Sequence, residues 1–216
     1  MNRILAFSDR NRKELLRDPL SYIFCLAFPL VMLVVMTLVD SSIPRESGMS
    51  VFHIQNLCAG IAVFGQLFIM LFTTLTVSKD RAGSFLVRLY ATPMKSVDFI
   101  IGYMLPMLVI CMVQNILIYA VSFVISLFTP DSLNPLGLLV SIPVLIPSAV
   151  MFIGFGMLFG SLFNDKAAPG VSSIIISLGS FLGSVWFDAD ATGGVMLDIC
   201  KMLPFYYCTK SARSTI

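Results

Sequence analysis

Residues 99–128 run for thirty positions without an Asp, Glu, Lys, Arg or His. A water-soluble fold must solvate its surface, so it cannot hold so long an uncharged window, whereas a bilayer's hydrocarbon core demands one. Four further apolar runs share this character, and charged residues make up only 12% of the chain against 57% apolar. The mean hydropathy of +0.92 agrees. The expected fold class is all-α: a polytopic membrane helical bundle with an amphipathic, interfacial amino-terminal helix.

Taken in order, residues 1–18 carry Arg3, Arg10, Arg12, Lys13 and Arg17, with Ile4, Phe7, Leu15 and Leu16 between them at roughly helical spacing. That pattern suits a helix lying on the membrane surface, ended by Pro19. It serves either as a topology signal or as a docking element. No small-x-small cleavage site follows the first apolar run, so a removable signal is not expected. The transmembrane domain occupies 19–187, with spans at about 20–39, 54–77, 99–128, 136–163 and 167–187. Pro29 is expected to kink the first span, and Pro143 and Pro147 to break the fourth.

Placement of cations orients these spans. With the amino terminus in the cytosol, the inside segments hold Arg3, Arg10, Arg12, Lys13, Arg17, Lys79, Arg81, Arg88, Lys95 and Lys166, and the outside connectors between spans hold only Arg45. This is the positive-inside arrangement of a multi-pass plasma (inner) membrane protein. The segment 188–216 then lies outside. Five spans leave the chain there, so a sixth is expected beyond Ile216.

Several features have two readings. Gly156 and Gly160 form a GxxxG, which permits close helix approach but is weak alone. In the fifth span Gly170, Ser173, Ser177, Ser180 and Ser184 follow at steps of three and four, giving one small, faintly polar face. It is an intrachain seam, a homodimer seam or a wall of a substrate path. Gln66, well inside the second span, is grouped with that face as part of a dimer seam or a substrate path. His53 reads as a satisfied interfacial residue. Cys25, Cys58 and Cys111 read as small hydrophobes, and Cys200 and Cys208 lie close enough in sequence to pair only in an oxidising compartment.

No span carries an interior charge, which argues against ion-coupled transport. There is no HExxH and no Cys/His cluster, so no metal site and no catalytic residue are expected. There is no GxxxxGK[ST] either, so energy has to be supplied by a partner. The two cytoplasmic elements, residues 1–18 and the loop 78–98, are the surfaces where it would arrive.

Within that loop, KDRAGSFLVRLYATPMKSVDFIIGY resembles the coupling segment of type-2 ABC transporter permeases, an acidic-basic run followed by Gly-Thr, Leu, Arg-Leu and Thr-Pro. Asp80, Gly83, Ser84, Arg88, Leu89, Thr92 and Pro93 occupy the matching positions. RNRKELLRDPLSYIFCLAFPL is similar to that family's connecting helix and first span, and KMLPFYYCTKSAR to its segment before the sixth span. Arg81, Phe85 and Val87 depart from the usual residues.

The resemblance implies a permease subunit of an ATP-driven exporter, paired with a second copy and with two ATPase subunits. It has no cofactor of its own, since ATP and magnesium would sit in the partner, and no nucleic-acid partner. Gly83, Leu86, Arg88, Leu89, Thr92 and Pro93 are carried over to coupling. Arg12, Lys13, Glu14, Arg17 and Asp18 are carried over to the connecting helix. The neutral spans, rich in Phe, Met and Ser, suit an amphipathic or apolar substrate: a drug-like compound, a peptide or a lipid-linked molecule. The alternative is a non-transporting membrane scaffold or immunity protein that binds a partner through the same basic loop.

Overall fold

The computed structural model describes residues 2–43, 50–83, 85, 94–129 and 132–216. Among them every regular element is helical. Helix α1 spans Asn2–Leu16. It closes where the Arg17 and Asp18 amides donate to the carbonyls of Glu14 and Leu15. Asp18 then accepts from the Leu20 amide at 3.1 Å and starts α2, Pro19–Tyr22, with Pro19 in the first turn. Proline suits that place because its missing N–H would be unpaired there anyway.

A π-helical turn, Ile23–Ala27, leads into α3, Phe28–Ser42. Its position follows from Pro29, whose ring clashes with the carbonyl four residues back. Widening the preceding turn relieves that clash. Together Ile23–Ser42 are 20 residues, enough to cross a bilayer.

After a short 3-10 turn, Ser50–Phe52, the chain enters α4, Ile54–Ala82. Nearly all of its side chains are buried, and α3 and four of the helices that follow pack around it. A helix apolar on every side belongs in the middle of a bundle. Helix α5, Ser96–Ser126, begins where Asp98 accepts from the Lys95 amide at 2.9 Å. Helix α6, Pro135–Leu162, begins under the Asn134 side chain, which accepts from Leu136 at 3.1 Å.

Pro106 in α5 and Pro143 and Pro147 in α6 lie inside continuous helices, so α6 is not broken at its prolines. Packed neighbours accommodate the lost hydrogen bonds.

The most extensive contact in the bundle is between α4 and α6. A Cβ on Gly156 would lie 2.6 Å from the Met70 carbonyl oxygen, and one on Gly160 would lie 2.7 Å from that of Thr74. The GxxxG is therefore an intrachain seam. In lipid, where apolar surface gains nothing by leaving its solvent, such close backbone packing is a main source of helix association. Gln66 lies on the same interface, fully buried, and accepts from Ser148 Oγ at 2.8 Å.

The fifth apolar segment forms α7, Ala168–Leu182, only 15 residues and about 22 Å long. It stops at Gly183 and Ser184, where Ser184 has φ 59°. That left-handed backbone costs about 1–2 kcal/mol. It is offset by two side-chain bonds: Ser184 Oγ donates to the Phe187 carbonyl at 2.7 Å and accepts from the Ala189 amide at 3.1 Å.

Three short helices follow, α8 (Ala189–Thr192), α9 (Gly194–Lys201) and α10 (Pro204–Arg213). Helix α10 turns back into the bundle. At its start, Phe205 approaches Gly179 and Gly183 and stacks 5.7 Å from Phe152. At its end, Arg213 reaches Asn56 in the first turn of α4. Cys200 and Cys208 are both buried free thiols.

Candidate functional site

At the carboxyl end of α4, helix α1 is bolted to the bundle. Arg10 sends two parallel hydrogen bonds to Asp80, Nη1 to Oδ2 at 2.6 Å and Nη2 to Oδ1 at 2.8 Å. Tyr103, two turns into α5, donates its hydroxyl to the same Oδ2 at 2.7 Å. One carboxylate, 4% exposed, thus joins α1, α4 and α5. Such a forked pair is the strong, directional form of an arginine–carboxylate contact. The Asp80 carboxylate in turn holds the Arg10 pKa above its ordinary value.

Around this junction the apolar face of α1 is locked. Phe7 sits edge-on to Tyr103 with centroids 5.0 Å apart and packs against Phe99. Its ring covers Gly102, where a Cβ would stand 2.3 Å from Phe7 Cδ1. Asn11 is buried and donates to the Gly102 carbonyl at 3.1 Å. The junction also touches the loop: Arg10 Cζ lies 3.9 Å from the Phe85 ring centroid, and Phe85 stacks on Phe7 at 6.3 Å.

The residues expected at this surface divide into three groups. Arg12 and Lys13 pair with Asp9 on the exposed side of α1. That pairing lowers the Asp9 pKa, chiefly through the Lys13 hydrogen bond. Glu14 faces inward, 2.7 Å from Arg10 and 3.3 Å from Lys79, and so joins α1 to α4. Arg17 is exposed beside it, and Asp18 caps α2.

Gly83 ends α4 by donating its N–H to the Lys79 carbonyl at 2.9 Å, with φ −76°. Neither its backbone angle nor its surroundings among the described residues require glycine there. Leu86, Arg88, Leu89, Thr92 and Pro93 lie outside the described residues.

Arg10, Asn11, Tyr103 and Phe7 form the joint although no sequence motif marks them, and Asp80 is marked only by its place in the loop motif. Their signal in the sequence is faint, because an Arg–Asp pair seventy positions apart has no local pattern. Tyr103, a hydroxyl-bearing residue near the start of an uncharged span, is the available hint.

Elsewhere the five small residues of α7 do not share one environment. Gly170, Ser173 and Ser177 are exposed, while Ser180 and Ser184 are buried. Ser173 and Ser177 donate back to the carbonyls of Pro169 and Ser173. They present no free polar face. Gln66 lies in the α4–α6 seam rather than on an open wall.

Four helices long and apolar enough to cross a bilayer, three of them packed around the fourth, α4, define a polytopic membrane protein. Residues 2–216 match the family described as ABC-2 type transporter. The chain belongs to that family and is a permease subunit of an ABC transporter, a family whose members associate with an ATP-binding subunit. Neither the curated proteins nor the solved structures compared with it give a match.

Proposed function

We propose that this permease subunit is the membrane half of an exporter, carrying an amphipathic or apolar substrate out of the cytosol on energy from its ATPase partner. The observation that supports this best is the Arg10–Asp80–Tyr103 joint. It connects the amino-terminal helix and the root of the 78–98 loop to the central helix α4, so a push on that cytoplasmic surface has a stiff route into the bundle. In this reading the loop seats in the ATPase, with Leu86 and Leu89 as its apolar face. The amino terminus is cytoplasmic, as the cation distribution favours.

Changing Leu86 and Leu89 together to Asp is expected to abolish co-purification with the ATPase. Assembly and transport that persist in that double variant would sink the assignment of the loop. A basic loop serving a scaffold would instead keep a partner while ATP depletion left the activity untouched.

The same reading has two copies of the chain working together, meeting through the exposed part of α7. Cysteine at Ser173 or Ser177 is then expected to give disulfide-linked dimers in membranes, and cysteine at the buried Ser180 to give none. Equal yields at all three positions, or none in an active protein, would rule out that seam.

A further inference from the structure

At the end of α4 opposite α1, a polar cavity of about 290 Å³ opens between α10, the first turn of α4 and the turn at Ser184. Arg213 is its distinctive group. Nε donates to the Asn56 carbonyl at 3.3 Å and Nη1 to Ser184 Oγ at 3.4 Å, both long bonds to neutral acceptors. Nη2 is buried and has no partner among the described residues. A guanidinium has five N–H donors and ordinarily meets a carboxylate when it leaves water. No ion pair forms at Arg213 among the described residues.

The acids that line the cavity are engaged elsewhere. Asp190 accepts from the Tyr206 hydroxyl at 2.6 Å and from Lys210 at 3.1 Å. Asp188 Oδ1 caps α8 through the amides of Asp190 and Ala191. Arg213 also stands against the amino-terminal turn of a 29-residue helix, the positive end of its dipole. Two positive potentials thus coincide, and the Asp188 and Asp190 carboxylates that line the cavity act on Arg213 only through space, without a salt bridge to it. Burial pushes the Arg213 pKa down, a cost that an anionic ligand would remove.

Beside this cavity lies a second one of about 410 Å³, walled by Phe52, Trp186 and Phe187. Val51 and Asp188 line both, so the two are adjacent. A cationic corner beside an aromatic chamber matches a molecule with one anionic head and an apolar body.

We propose that this double cavity binds an amphipathic anion, its phosphate or carboxylate head on Arg213 and its apolar part against Trp186 and Phe187. As a statement about cargo, it rests on the exporter reading. Binding to the isolated chain needs no ATPase, so its failure would leave that reading intact. Two sources supply such a head, a bilayer lipid and a free amphiphile.

Trp186 is the one tryptophan in the chain and reports the site directly. The full chain in phosphatidylcholine nanodiscs is titrated with dodecyl phosphate while Trp186 emission is followed. A saturable change is expected, weakened about tenfold by Arg213→Gln, largely retained in Arg213→Lys, and weakened by raising NaCl from about 50 to about 500 mM. If phosphatidylglycerol in the disc competes, the ligand is a lipid headgroup; if it does not, it is a free amphiphile. An equal response to neutral dodecyl maltoside would overturn the proposal. So would a wild-type titration indifferent to salt, a result that does not depend on any variant folding.

Discussion

Arg10→Ala is expected to cut ATP-driven transport at least about tenfold and to lower the thermal stability of the purified chain. Both effects share one cause. Asp80 is almost fully buried, and removing its arginine leaves a carboxylate held only by the Tyr103 hydroxyl. Breaking a buried pair from one side costs about 3–5 kcal/mol. Arg10 is about one-third exposed, so water recovers part of that, and about 2 kcal/mol is the better expectation.

Asp80→Asn is expected to cost a similar amount, and the double variant little more than either. The coupling read from the four unfolding curves should be about 1–2 kcal/mol. Additive losses would mean that the two groups do not act as a pair, and the joint would then have no claim to transmit anything. Tyr103→Phe removes one donor from Asp80 while the fork stays, so its effect should be the smallest of the set, about 1 kcal/mol.

The second large effect is expected at the α4–α6 seam. Leucine at Gly156 or Gly160 would place its Cβ within 2.6 or 2.7 Å of a backbone carbonyl oxygen on α4. Backbone cannot rotate aside as a side chain can, so the helices must separate. Overpacking of this kind costs about 1–3 kcal/mol or more, and here it also opens the interface that holds Gln66 and Ser148. Either variant should purify as aggregate or lose its sharp size-exclusion peak. Gly154 gives the internal control: it is two residues from Gly156, yet a Cβ there meets nothing within 4 Å. Gly154→Leu should therefore behave like wild type. A normal peak for Gly156→Leu, or equal damage from Gly154→Leu, would show that the seam is not what holds α6 in place.

These two sites differ in how much of them could be read in advance. The GxxxG was visible as a pattern, but a pattern of small residues states only that something approaches closely. The Met70 and Thr74 carbonyls on the facing helix decided that the approach is within one chain. The serines of α7 show the reverse. Their spacing put five residues on one face, and helical periodicity does hold as far as Leu182. The positive φ at Ser184 then takes that residue off the face and makes it a pivot bonded to Phe187, Ala189 and Arg213. Proline gave similar ambiguity: Pro29 is accompanied by a π-helical turn, whereas Pro143 and Pro147 sit inside an unbroken helix. Which outcome follows depends on the neighbours that steady the backbone, and those lie outside any local window.

The amino acid sequence alone determined the solvent of this protein, the family to which it belongs and the distribution of its cations. Hydropathy and charge are sums over neighbouring residues and need no knowledge of who touches whom. Tertiary structure decided which polar residues act together: Arg10 with Asp80 and Tyr103, Gln66 with Ser148, Arg213 with Ser184 and Asn56. Each of these contacts links positions far apart in the chain. They come about because α4, apolar on every side, draws the other helices around it, and the partners its two ends receive are set by packing.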